Sequence, residues 1–266
     1  MSLAVKALSS ATLYLCASAA LATTVQFQTV MGDFEVNLYD QDTPETVANF
    51  LEYVDSGAYE NTFMHRSVPS FVVQGGGFSF DLDNDSVSAI ATNEPVVNEP
   101  VFANVRGTIA MAKPSFQPDG ATNQWFINLT DNTSLDTNTG GFTVFGEVTG
   151  NGMAIVEAIA DLPTADFSPS IFWNSIAFED VPLRDYSQED MNDGILATEE
   201  NIVLIQNIMV LDAATDTAAG LNPPPTTATA DSGNDGDSSG GGGSFGLRLL
   251  ALLALGSLGR KLIRRG

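Results

Sequence analysis

The most constraining stretch of this chain is residues 63–78, reading FMHRSVPSFVVQGGGF. It places Arg66 among apolar neighbours. A guanidinium keeps its charge at any working pH, so a fold that holds it beside Phe71, Val72 and Val73 must supply partners for its donors. Gln74 is the nearest obvious candidate. The three glycines that follow, Gly75, Gly76 and Gly77, let the backbone leave a strand in conformations that a side chain would forbid. A short strand with a sharp exit is therefore predicted here.

The flanking sequence alternates in the same β-rich manner. Val25, Phe27 and Thr29 share one side, and Phe34, Val36 and Leu38 follow a Met31-Gly32-Asp33 turn, which predicts a hairpin. Residues 43–57 then switch to helical spacing, with Thr43 as N-cap, Pro44 at the first position, Val47, Phe50, Leu51 and Val54 on one face, and Gly57 as terminator. A second helix is predicted over residues 152–162, with Met153, Val156 and Ile159 facing inward. Residues 201–213 alternate like a closing strand.

Asp81, Asp83 and Asp85 have the spacing that opens a calcium loop, but Ser86 stands where such a loop needs glycine and Thr92 where it needs glutamate. A solvated acidic loop is the favoured reading of residues 79–106, and no metal is assigned.

Charge narrows the partners. All 33 Asp and Glu lie within residues 23–243, where Arg66, Arg106, Lys113 and Arg184 are the only basic residues. So acidic a surface repels nucleic acid and anionic membranes. The single cysteine, Cys16, excludes a disulfide framework.

Four regions follow. Residues 1–22 read as a signal peptide, with Lys6 before a small-and-apolar run and Ala20-Leu21-Ala22 as the cleavage signature. Residues 23–213 form the domain, with an insertion around 163–200. Residues 214–243, rich in Thr, Ala, Pro, Asp, Ser and Gly, read as a flexible linker. Residues 244–266 combine an apolar run with Arg260, Lys261, Arg264 and Arg265, and read as a hydrophobic anchor or sorting signal with a basic end. With the preceding glycines this tail resembles the GlyGly-CTERM sorting signals of some Gram-negative bacteria, which implies membrane tethering and a sorting protease as partner.

Three ordered blocks carry a second resemblance. His65, Arg66, Pro69, Phe71, Gln74, Gly75 and Gly76 meet a HR-x-x-P-x-F-x-x-QGG pattern; GTIAMAKPSFQPDGATNQWFIN follows at 107–128, and FTVFGEV at 142–148. Together they resemble the cyclophilin family of peptidyl-prolyl isomerases over residues 25–162. The resemblance implies a mostly β fold, a closed antiparallel eight-stranded β-barrel capped by two α-helices. It implies Arg66 as catalytic residue and a substrate groove of Phe71, Val72, Gln74, Met111, Ala112, Gln124, Phe126, Leu135 and Phe142, with proline-containing polypeptides as substrates and no cofactor. His65 is structural by the same resemblance.

The chain departs from the family at Ser134, where a tryptophan or phenylalanine is usual, at Phe142 for histidine, Lys113 for asparagine, Val72 for methionine, and Trp125 for phenylalanine. The expectation is an exported isomerase, periplasmic or at the cell surface and tethered at least transiently, with nothing that demands more than a monomer. The alternatives are a proline-segment-binding chaperone without turnover and a structural acidic surface protein.

Overall fold

The computed structural model describes residues 23–168, 175–213, 221 and 223–228. The signal peptide and the C-terminal tail expected from the sequence lie outside these residues. The first hairpin forms as its alternation predicts: β1 (Thr24–Thr29) buries Val25, Phe27 and Thr29, and pairs with β2 (Phe34–Leu38) across a turn in which Gly32 takes a φ of 120°. Helix α1 (Pro44–Asp55) follows. Its apolar face is buried through Val47, Phe50, Tyr53 and Val54, while Leu51 is half-buried.

Thr43 occupies the N-cap position without using its side chain as a cap. Its hydroxyl donates instead to the Tyr39 carbonyl, and the free N–H groups of the first turn are met by a distant carboxylate, with Glu99 accepting from Thr46 N at 2.9 Å and from the Thr46 hydroxyl at 2.7 Å. A carboxylate suits the positive end of a helix.

The remaining strands are β3 (Thr62–Phe63), β4 (Arg66–Val68), β5 (Val72–Gly75), β6 (Phe78–Asp81), β7 (Ser86–Ala89), β8 (Thr108–Met111), β9 (Trp125–Asn128) and β10 (Val144–Val148). Helix α2 (Gly152–Ala160), the short pair β11 (Thr164–Ala165) and β12 (Val181–Pro182), helix α3 (Gln188–Asn192), β13 (Leu204–Asp212) and three short 3-10 helices, Thr133–Asp136, Asn138–Gly140 and Ile176–Phe178, complete the described elements. Eleven strands join in the order β4-β5-β9-β8-β10-β2-β1-β13-β3-β6-β7.

No ladder joins β4 to β7, the ends of that order, so the expected closed eight-stranded barrel is corrected to an eleven-stranded mostly antiparallel sheet among the described residues. Two local events raise the count. The extended stretch 62–68 changes neighbours between adjacent residues: Met64 N–H donates to Val203, and His65 N–H donates to Gln74. The same stretch therefore contributes both β3, paired with β13, and β4, paired with β5. Second, part of the expected acidic loop is a hairpin, β6 with β7, whose tip is tied by Asp81 accepting from Asp83 N and Asn84. Among the described residues no three metal-binding side chains cluster, at this loop or elsewhere.

The main core lies between the sheet and the two predicted helices, around Phe27, Phe50, Trp125, Phe145, Val156 and Ile159. A second cluster joins Phe63, Phe78 and Phe80 to Phe167, Phe178, Val181, Leu183 and Tyr186, which follow α2 in the chain. A third, on β5, β8, β9 and β10 and the segments that follow β2 and β9, comprises Tyr39, Val72, Ala110, Ala112, Phe126, Leu135, Phe142 and Val144.

The glycine run has a steric reason. A Cβ on Gly75 would stand 2.8 Å from the Trp125 ring, and one on Gly77 would stand 2.7 Å from the Gln124 side chain. Gly76 is the most restricted: its φ is +85°, and a Cβ there would stand only 2.5 Å from the Asn123 carbonyl oxygen. Backbone cannot yield as a flexible side chain can. Gly76→Ala is expected to lower unfolding free energy by about 2–4 kcal/mol, combining positive-φ strain with overpacking. Urea unfolding followed by tryptophan fluorescence measures it.

Candidate active site

Arg66 begins β4, directly opposite Gln74 on β5. The Gln74 Oε1 accepts from Arg66 Nη1 at 3.4 Å, which turns the Gln74 amide nitrogen toward Gln124, where it donates to Oε1 at 2.9 Å. One glutamine therefore holds the arginine and is itself oriented by another. Arg66 Nε and Nη2 have no hydrogen-bond partner among the described residues, although the side chain is 0% exposed. Burial lowers the Arg66 pKa, and the nearby Asp180 and Glu179 charges oppose that shift. The Asp180 carboxyl is pushed up by burial against the pull of Arg66. No ion pair forms between them.

The strand pairing explains why distant residues meet here. Gln74 faces Phe126 across β5 and β9, and Phe126 faces Ala110 across β9 and β8. Met111 follows at the strand end opposite Trp125. Val72, Ala112, Phe126, Leu135 and Phe142 lie in one apolar cluster with Phe71 packed against it, and Phe126 meets Phe142 edge-to-face at 5.8 Å. Met111 belongs instead to the main core, with its side chain grouped with Trp125 and Ile127. The sequence-predicted residues thus fall into two adjoining parts, a polar line of Arg66, Gln74 and Gln124 and an apolar cluster, with Met111 behind them. All are buried except Phe71, which is half-buried.

His65 is also buried, with its ring edge-on to Phe63 and Phe78 and its nitrogens no better than weakly met by the Phe63 backbone and the Gln124 side chain. Burial, and then the Arg66 charge, lower its pKa to about 3. Lys113, 2% exposed, donates to the carbonyls of Pro118 and Thr139 at 3.0 and 3.1 Å and to that of Gly141, and burial lowers its pKa to about 8. It pins the loop after β8 to the wall carrying Leu135 and Phe142.

That wall rests on a buried polar network absent from the sequence expectation. Asn132 donates to the Phe71 carbonyl and to Asn128, Asn128 donates to Asn104, and Asn104 donates to Asp136 and to the Phe142 carbonyl. Burial raises the Asp136 pKa, but hydrogen bonds from Asn104 and Thr227 outweigh it and hold the carboxyl below its usual value. Asparagines in turns signal only local capping in a sequence, and nothing in their spacing announces a shared network. Asp180 and Glu179 were equally hidden, because a distant stretch of chain brings them to Arg66 through the Asp180 backbone carbonyl, which accepts from Ser67 N at 2.8 Å.

The His65 shift fixes a pH window. Its unfolded pKa near 6.5 exceeds the folded value of about 3, so the unfolded chain binds more protons between them. Its contribution is complete above pH 6.5 and lost as pH falls toward 3. His65→Phe, which keeps the ring contacts, is expected to flatten this limb of melting temperature against pH. An unchanged slope would show that His65 does not titrate this way.

The sequence profile of the family described as cyclophilin type peptidyl-prolyl cis-trans isomerase/CLD matches residues 24–183. Peptidyl-prolyl cis-trans isomerase A of Dickeya dadantii is 43% identical over 156 residues, covering 57% of this chain and 78% of the relative. A peptidyl-prolyl cis-trans isomerase of Acinetobacter baylyi is 39% identical over 157 residues, covering 58% and 81%. Peptidyl-prolyl cis-trans isomerase B of Escherichia coli is 38% identical over 168 residues, covering 60% and 93%. With a family match over more than half its length, and with the arginine strand, the glutamine pair and the apolar cluster assembled in one place, this chain belongs to the cyclophilin-type peptidyl-prolyl cis-trans isomerases.

Proposed function

We propose that the chain isomerises X-Pro bonds of exported polypeptides, with Arg66 as the catalytic residue. One observation supports this most: Arg66 is fixed by Gln74 at Nη1 while its Nε and Nη2 donors remain unused. Rotation about an X-Pro bond faces a barrier of ~18–20 kcal/mol because the amide nitrogen shares its lone pair with the carbonyl. A guanidinium donor directed at that nitrogen binds the lone pair as it localises, and so favours the twisted amide over either planar form.

The supporting roles follow from chemistry. Phe71, Val72, Phe126, Leu135 and Phe142 offer an apolar seat for the proline ring, while Gln74, Gln124 and Ala112 are suited to the peptide main chain, and Met111 backs the seat. A His65 kept neutral by burial fits a reaction that needs no acid or base. Seating the ring while the preceding carbonyl turns requires no covalent intermediate, metal or cofactor.

Export rests on residues 1–22 with their cleavage signature, and tethering rests on the apolar and basic pattern of 244–266. The acidic intervening surface suits a solvated extracytoplasmic protein. N-terminal sequencing of protein recovered from a Gram-negative host is expected to give a mature chain starting at Thr23. Recovery of the intact Met1 form would remove the export reading.

The enzymatic reading is tested with a proline tetrapeptide whose cis form is monitored during isomerisation. Arg66→Ala is expected to reduce kcat/KM on the order of a hundredfold, the loss associated with one preorganised donor. Arg66→Lys is expected to recover little, since an ammonium cannot both hold Gln74 and point a second fixed donor. Equal rates for wild type and Arg66→Ala would exclude this role.

A further inference from the structure

Beyond the domain, residues 223–228 return to it in extended form. The Ala103 N–H donates to the Pro224 carbonyl, and the Thr226 N–H donates to the Val101 carbonyl, both at 2.9 Å, with Phe102 bridged to Pro225. The sequence of the segment suits this arrangement. Pro223, Pro224 and Pro225 lack an N–H, so they can only accept, and Thr226 restores a donor at the next position. A proline run is also stiff before it docks, so little chain entropy is lost.

Two side chains extend the contact. Asp136 Oδ2 accepts from Thr227 N at 3.0 Å and from the Thr227 hydroxyl at 2.8 Å. Leu221 packs against the apolar cluster containing Val72, Phe126, Leu135 and Phe142. Asp136 adjoins Leu135 and, through Asn104, is bonded to the Phe142 carbonyl. The segment is therefore tied to the wall of the proposed groove, and in this docked arrangement Val72, Leu135, Phe142 and Phe126 are all no more than 2% exposed.

We propose that Val101, Phe102, Ala103 and Asp136 form a docking strip for an extended Pro-Pro-Thr segment, that residues 223–227 fill it in cis, and that filling it holds the groove wall closed. The inference rests on the groove assigned above, but not on turnover there. Clients reach the groove when the strap lifts.

The test uses the full chain carrying Leu221→Asp and Thr227→Val, neither of which lies in the catalytic or substrate-contacting set. Hydrogen exchange at the Ala103 amide reads docking directly; affinity for a proline tetrapeptide reads access, and its isomerisation rate is followed separately. In the variant, Ala103 is expected to lose protection and tetrapeptide affinity to rise about tenfold if the closed wall holds nine-tenths of wild-type molecules.

A synthetic LNPPPTTA peptide added to the variant is expected to restore Ala103 protection, whereas LNPPPTVA, lacking the hydroxyl, is not. Fast Ala103 exchange in the wild type would overturn docking. Lost protection with unchanged or weaker tetrapeptide affinity would overturn the closed wall. Ala103 protection that depends on protein concentration would assign the strap to a second copy and overturn the cis arrangement. Absent turnover in both proteins, with the affinity change intact, would count against the isomerase reading and leave the strap standing.

Discussion

The arrangement at the centre of this protein depends on one guanidinium that is buried and only partly satisfied. Arg66 is held by Gln74, Gln74 by Gln124, and Gln124 can approach because Gly77 has no side chain in its way. Gly75 and Gly76 make the same allowance for Trp125, whose ring would meet a Cβ on either. The glycine run and the tryptophan are thus two halves of one packing solution. The large ring fills the core under β5, and the small residues let the strand lie on it. An arginine placed on a strand edge without that support would lose its bearing through rotamer freedom, since a long side chain costs entropy to fix.

Electrostatics sharpen the same site. The core around His65 excludes water, so its imidazole stays neutral and Arg66 keeps no cationic neighbour that would compete for the same partners. Asp180 and Glu179 lie close enough to influence Arg66 without closing an ion pair. A direct carboxylate bridge would satisfy the unused donors and leave none for a substrate amide. Long-range negative charge instead lowers the cost of burying the cation while leaving its hydrogen-bonding positions open. The segment carrying Asp180 and Glu179 is therefore electrically part of the site, although its neighbours Phe178, Val181 and Leu183 pack in a different apolar cluster.

Local structure was largely legible in the sequence, and long-range closure was not. Alternation located β1 and β2, and helical spacing located α1 and α2 with their buried faces. The arginine, glutamine and glycine run announced its own strand because each residue type there has few places to go. The barrel expectation was different in kind. It came from the resemblance as a whole, whereas in residues 62–68 the chain exchanges one neighbour for another between Met64 and His65. No periodicity records which strand a backbone N–H will face. The Glu99 carboxylate at the start of α1 was hidden for the same reason, lying 53 residues from the Thr46 amide it accepts from. Local signals also pointed to Thr43 as the cap, but its hydroxyl was drawn to the nearer Tyr39 carbonyl. Likewise, β13 follows the insertion and lies beyond the matched residues 24–183, yet it supplies the neighbour between β1 and β3.

Lys113 shows how a departure in residue type can change what a groove is made of. An asparagine at such a position can present both a donor and an acceptor to a peptide, but an ammonium has donors alone. Here those donors are already committed to the carbonyls of Pro118, Thr139 and Gly141, and the charge lies 5.1 Å from the centre of the Phe142 ring. Lys113 therefore acts on the wall, with its donors turned to the loop carbonyls. Phe142 fits the same logic, because an aromatic face stabilises a buried cation that has no carboxylate partner. The substitutions at Lys113 and Phe142 are thus coupled. Restoring the more usual residue at either position alone would leave the other without its partner: a buried ammonium beside a histidine, or a phenylalanine facing an amide. Its lowered pKa of about 8 adds a condition, since a neutral amine offers fewer donors and no cation–π attraction. The wall carrying Leu135 and Phe142 is consequently tied to the protonation of one buried lysine as well as to the asparagine network beneath it.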